Sequence, residues 1–209
     1  AIAAISQVDE SRMARVKSLT REIEQRYSGR DAAWWHRRFA EAIKENGQAQ
    51  GRPLRILGFT SLHTTFLQYS MRDCLRALES LGHETRLLIE TAPHRCLGPV
   101  TLLEAQRAFE PDVILLLSRM RYEMPHLLHP SIPSLTWDQD SLPWVFDKSK
   151  RPRLAWNDFL MGFAARGTSD ELGWPARQCH YCTMAGSAET YSSDPLPAEE
   201  LELYRCDVS

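Results

Sequence analysis

Leu54-Arg55-Ile56-Leu57-Gly58-Phe59 opens the unit on which this chain is built. The run is apolar and β-favouring, and it reads as a first, central strand. Thr60 to Thr65 is polar and reads as a loop. Phe66 to Leu81 then places Leu67, Met71, Cys74, Leu75 and Leu78 on one helical face. Gly82 suits the left-handed residue that ends a helix. Glu84 to Ile89 reads as the next strand. A strand, a helix and a strand in this order form a βαβ unit, which is built as a right-handed crossover in a parallel sheet.

Downstream, Val100 to Phe109 reads as a short helix. Val113-Ile114-Leu115-Leu116-Leu117 is continuously apolar, as a strand covered on both faces must be. Ile132 to Trp137 reads as a further strand, Asp158 to Phe163 as another, and Gln178 to Met184 as the last. A short helix is expected near Ala198 to Tyr204. Upstream, residues 8–28 carry Met13, Val16, Leu19, Ile23 and Tyr27 as a helical stripe. Asp31 is placed to cap a second helix that buries Trp35, Phe39 and Ile43 and ends at Asn46-Gly47. The expected architecture is therefore α/β, a Rossmann-like parallel sheet with flanking helices, preceded by an N-terminal helical hairpin. The expected division is a helical extension over 1–50, the α/β domain over 51–185 and a linker over 186–209. The hairpin reads either as packing on its own domain or as a contact for a partner protein or a second copy through residues 8–46.

The chain has 209 residues, 43% hydrophobic and 25% charged, the proportions of a soluble globular protein. A net charge of −2 offers no bulk attraction for nucleic acid or an anionic membrane. Its apolar runs are too short to span a bilayer. Five scattered cysteines do not make a small disulfide framework, so a reducing, cytoplasmic setting is expected. The chain does not begin with Met and is read as cut from a longer one.

In an open parallel sheet, ligands bind at the carboxyl ends of the strands. Three stretches fall there. The first loop brings His63, whose ordinary pKa near neutrality suits a general base. The same loop brings Thr64 and Thr65, whose hydroxyls, with the start of the following helix, could hold an anion. A hydrogen-bonded loop histidine is the plain alternative. Arg119 and Arg121 follow the third strand and could grip a phosphate or carboxylate, or simply face solvent near Glu123. Trp137-Asp138-Gln139-Asp140 ends the fourth strand with two carboxylates and an amide, although acidic residues after a strand also form turns. No glycine-rich dinucleotide or P-loop spacing occurs. Cys179-His180-Tyr181-Cys182 has the C-x-x-C spacing, but only the distant His94 and Cys96 could complete a zinc site. A redox motif would open a helix, whereas this stretch reads as a strand. No acidic pair follows the first strand, which speaks against a response-regulator receiver module.

The residues then carry a resemblance. RILGFTS (55–61), LRALESLGHETRLL (75–88), FEPDVILLLSRMRYE (109–123) and IPSLTWDQDSLPWVF (132–146) together resemble the N-terminal Rossmann-like domain of a GT-B glycosyltransferase. More narrowly they are similar to bacterial spore-maturation-protein, glycosyltransferase-like proteins, in which I-P-x-x-x-W-x-Q-D follows a P-D strand. NDFLMGF (157–163) and the tail from Glu171 to Ser209 match that family's passage into its second domain. The resemblance covers about residues 54–209 and leaves the N-terminal helices unaccounted for. It implies the acceptor-side half of a nucleotide-sugar-dependent glycosyltransferase. The sugar nucleotide would be a substrate held chiefly by a second domain, with no tightly bound cofactor and no metal. His63 matches the place of the base, and Asp138, Gln139 and Asp140 match the W-x-Q-D segment facing the cleft. The reaction implied is direct displacement at the anomeric carbon as a base takes the acceptor hydroxyl's proton. A non-catalytic Rossmann-like docking module, acting with a partner protein, is the alternative.

Overall fold

The computed structural model describes residues 2–62, 65–90, 92, 97–139, 149, 154–163, 165, 167, 170, 173–183, 185–187, 195 and 197–203, the side chains of 2–8 apart. In chain order the elements are α1 (Ile2–Tyr27), α2 (Ala32–Ala42), β1 (Arg55–Thr60), α3 (Thr65–Ser80), β2 (Glu84–Ile89), α4 (Pro99–Phe109), β3 (Val113–Leu117), β4 (Ser134–Asp138), β5 (Asp158–Gly162), β6 (Cys179–Tyr181) and α5 (Ala198–Leu203). The six strands form one sheet in the order β2-β1-β3-β4-β5-β6. Every pairing is parallel. The fold is the Rossmann-like α/β sheet flanked by helices that the strand–helix–strand unit implies.

Strand β3 shows why its sequence is apolar throughout. Side chains alternate faces along a strand. Ile114 and Leu116 enter one hydrophobic layer with Leu103 of α4 and Leu19, Ile23 and Tyr27 of α1. Leu115 and Leu117 enter the opposite layer with Met71 and Leu75 of α3. Both faces are covered, so no position can be polar. Gly58 in β1 lets α3 approach, because a Cβ there would lie 2.6 Å from Met71 Sδ and 3.0 Å from Leu75 Cδ1.

The amino edge of the sheet is closed by buried ion pairs. Arg38 of α2 grips Asp112, with Nε 3.2 Å from Oδ1 and Nη2 2.6 Å from Oδ2. Its remaining donors reach the carbonyls of Arg52 and Pro53, and Asp112 also accepts from the Arg55 amide at 3.0 Å. Trp35 of α2 joins the α1–α4 layer and Ala42 the α3 layer, so α2 contributes to both.

Several boundaries differ from the sequence reading. The N-terminal hairpin is not clearly formed, since α1 runs along α4 rather than along α2. Rungs from Arg15 to Glu104, Glu22 to Arg107 and Arg26 to Glu110 hold that contact. Helix α2 is capped by Asp31, whose carboxylate accepts from the Trp34 amide at 2.8 Å. It ends at Ala42, not at Asn46-Gly47. Those two residues instead turn a small hairpin closed by the Ile43–Ala49 bridge, with Gly47 at φ +81°. Strand β4 begins at Ser134 rather than Ile132, because Pro133 has no N–H for the ladder and its carbonyl accepts from Ile114.

Candidate functional site at the carboxyl edge

The strand order reverses between β1 and β3, and this point is where open α/β sheets bind ligands. A crevice of about 350 Å³ lies there, of the size that takes a small molecule. Its floor is apolar, from Phe59, Leu102 and Leu116. Thr60 and Ser61 after β1, Glu90 after β2 and Arg119 after β3 supply the polar rim. Glu90 is half-buried and turned toward the β1 loop. Its Oε2 accepts from Ser61 Oγ at 2.9 Å and from the Leu62 amide at 3.2 Å. That carboxylate fixes the loop that leads to His63.

The β3 tip is shaped by Ser118, a non-glycine residue at φ +45°. Left-handed backbone costs a residue with a Cβ about 1 kcal/mol or more, and such outliers gather at functional sites. Here the turn is held from both sides. The Ser118 amide donates to the Trp137 carbonyl at 2.9 Å, and its Oγ accepts from the Gln139 amide at 3.3 Å. The chain then folds back down the face of the sheet. Arg119 stays at the rim and exposed, with its carbonyl accepting from Thr136 Oγ1 at 2.9 Å.

Arg121, two residues on, is carried away from the rim by this reversal. It is buried at the amino edge, with Nη2 2.5 Å from Asp158 Oδ1 and 2.7 Å from Asn157 Oδ1. Nη1 donates to the Ile132 carbonyl at 2.7 Å and reaches that of Pro130 at 3.1 Å. Burial lowers the guanidinium pKa, and Asp158 pulls it back up. The expected anion-gripping or solvent-facing arginine is in fact an internal brace, whose donors are already engaged.

Trp137, expected at the ligand end of the sheet, is 6% exposed and packs in the α3 layer with Leu117, so it is a core side chain. Asp138 is buried at the end of β4, opposite Gly162 of β5. A Cβ on Gly162 would collide with the Asp138 carbonyl oxygen and lie 3.2 Å from its carbonyl carbon. Gln139 is 4% exposed, and its Oε1 has no hydrogen-bond partner among the described residues. A buried carbonyl oxygen left this way costs about 1–3 kcal/mol, which a bound donor would recover. Thr65 is exposed at the first position of α3. His63, Thr64 and Asp140 lie outside the described residues.

The structure thus brings Arg119 to the crevice, beside the hydroxyls of Thr60 and Ser61. It leaves Trp137, Asp138 and Gln139 buried one strand away, joined to the β3 tip through Ser118. Glu90 was not foreseen as a site residue. Its only sequence signal is an acidic residue directly after a strand, and the 2-1-3 order is what sets it beside β1.

The Cys-x-x-Cys stretch is divided between environments. Cys179 is buried beside Leu160 and Trp174, while His180 and Tyr181 are exposed. Cys182 packs in the α3 layer with Cys74. Burial, and then the neighbouring Cys182, push the Cys74 thiol up to about 11. Among the described residues no three His, Cys, Asp or Glu side chains are grouped as metal ligands. No helix among them is long and apolar enough to cross a membrane.

No protein-family model matches the sequence, and no curated protein or solved structure matches it either.

Proposed function

We propose that the chain is the acceptor-side domain of a nucleotide-sugar-dependent glycosyltransferase, and that the β1/β3 crevice receives the hydroxyl-bearing acceptor. The observation that carries this reading is the crevice itself. An apolar floor meets a rim of two hydroxyls, one carboxylate and one arginine, at the place where Rossmann-like sheets bind ligands. Sugars and other polyols present apolar C–H faces edged by hydroxyls, and such a rim complements them. Glu90 and Arg119 position the acceptor by hydrogen bonds. The bacterial glycosyltransferase resemblance supplies the reaction class: displacement at the anomeric carbon, with His63 or Asp140 as the base, Asp138 being buried. The donor would be held by another domain, with no metal required.

Calorimetry with methyl glycosides and with UDP-sugars tests this reading. Weak glycoside binding that is reduced about ten-fold by Arg119→Ala or Glu90→Gln supports it. Binding of neither class favours the alternative, a non-catalytic docking module. The exposed outer face of α1 is the observation that favours that second reading.

A further inference from the structure

Helix α1 carries two sets of charges with different fates. Arg15, Glu22 and Arg26 point toward α4 and are ion-paired there. Glu10, Lys17 and Arg21 are exposed, and among the described residues none of the three is ion-paired. Positions 10, 13, 17 and 21 share one helical face. With exposed Glu24 three residues beyond Arg21 on the same face, the stripe reads acid, Met13, base, base, acid. Met13 is 55% exposed. Beside it runs a groove of about 620 Å³ walled by Met13, Val16, Lys17, Arg21, Pro99 and Pro125.

We infer that this face is a homodimer interface, in which α1 of a second copy lies antiparallel in the groove. Charge complementarity selects the occupant. A two-fold axis crossing α1 between Arg15 and Val16 sets Glu10 against Arg21 of the second copy, and Arg21 against its Glu10. The same patch then serves both copies, as a two-fold interface requires. A parallel arrangement would set Glu10 on Glu10 and Lys17 on Lys17. Between the charged ends, Met13 and Val16 meet the proline-lined groove of the other copy. Methionine fills such irregular apolar space well.

Sedimentation velocity over a concentration series tests the inference on this chain as it stands. The expected result is a monomer–dimer equilibrium. Arg21→Glu alone, or Glu10→Arg alone, weakens it about ten-fold or more. The double reversal restores it, because the pair is rebuilt with its signs exchanged. Added salt weakens the wild-type dimer by screening. All these positions are exposed, so folding is retained, and circular dichroism of each variant checks this. Met13→Asp provides a second disruption that does not depend on the charge pair. A chain that stays monomeric at every concentration overturns the inference. So does a dimer untouched by either single reversal, or a double reversal that restores nothing.

Discussion

The two edges of this sheet are built from the same residue types to opposite ends. At the amino edge, Arg38–Asp112 and Arg121–Asp158 are buried, and their donors are matched to carboxylates and carbonyls. At the carboxyl edge, Arg119 is exposed, Glu90 braces a loop, Ser118 is held left-handed and Gln139 Oε1 has no partner among the described residues. A satisfied polar network rigidifies, whereas an incompletely satisfied one is kept where a ligand completes it. One edge is therefore a clamp and the other a candidate site.

The largest effect that should separate the edges is at Arg38. Removing one partner of a buried ion pair leaves the other charged and unpaired, which costs about 3–5 kcal/mol. Arg38→Ala should lower denaturant stability by that order. If the loss resembled that of a surface substitution, the clamp would be refuted. Gly162→Ala comes next. Its new Cβ would press on the Asp138 carbonyl, so strand β5 must shift from β4, at about 1–3 kcal/mol by overpacking. Thermal unfolding measures the cost, and an unchanged midpoint would mean the contact relaxes freely.

Burial, with the Arg121 charge adding to it and Glu24 opposing, lowers the pKa of His129 below its ordinary 6.5. The folded state then binds fewer protons than the unfolded chain. This contribution to stability is fully present above the unfolded value, and is lost as pH falls from there toward the folded value. Stability should therefore decline below about pH 6.5, and His129→Asn, which keeps an acceptor near the Nδ1 position, should flatten that decline. An equal slope in the variant would assign the decline to other groups. The smallest stability effect is expected at the rim. Arg119→Ala should change stability by no more than about 0.5 kcal/mol, since its side chain is exposed. A large loss there would make Arg119 part of the clamp.

Much of the clamp's scaffold is legible in the sequence. Val113 to Leu117 is apolar at every position because both layers need it, and the Glu84 to Ile89 strand stands as read. Asp31 caps α2 as its position indicates. The distribution of polar residues between the edges is less legible. Arg119 and Arg121 look equivalent in sequence, and only the Ser118 turn sends one to the rim and the other to Asp158. Glu90 becomes a rim residue through the strand order, which local pattern does not specify. The partnership of α1 with α4 buries Leu19, Ile23 and Tyr27 beside Leu103, with half-exposed ion pairs along its edge, and joins stripes that are far apart in the chain and separately ordinary.

The most direct test of the carboxyl-edge site is amide chemical-shift mapping on titration with a methyl glycoside. Shifts should concentrate at Thr60 to Leu62, Glu90, Ser118, Arg119 and Gln139, with the amino edge around Arg38 and Asp112 silent. Shifts confined to the amino edge or to the outer face of α1, with the carboxyl edge unmoved, would contradict it.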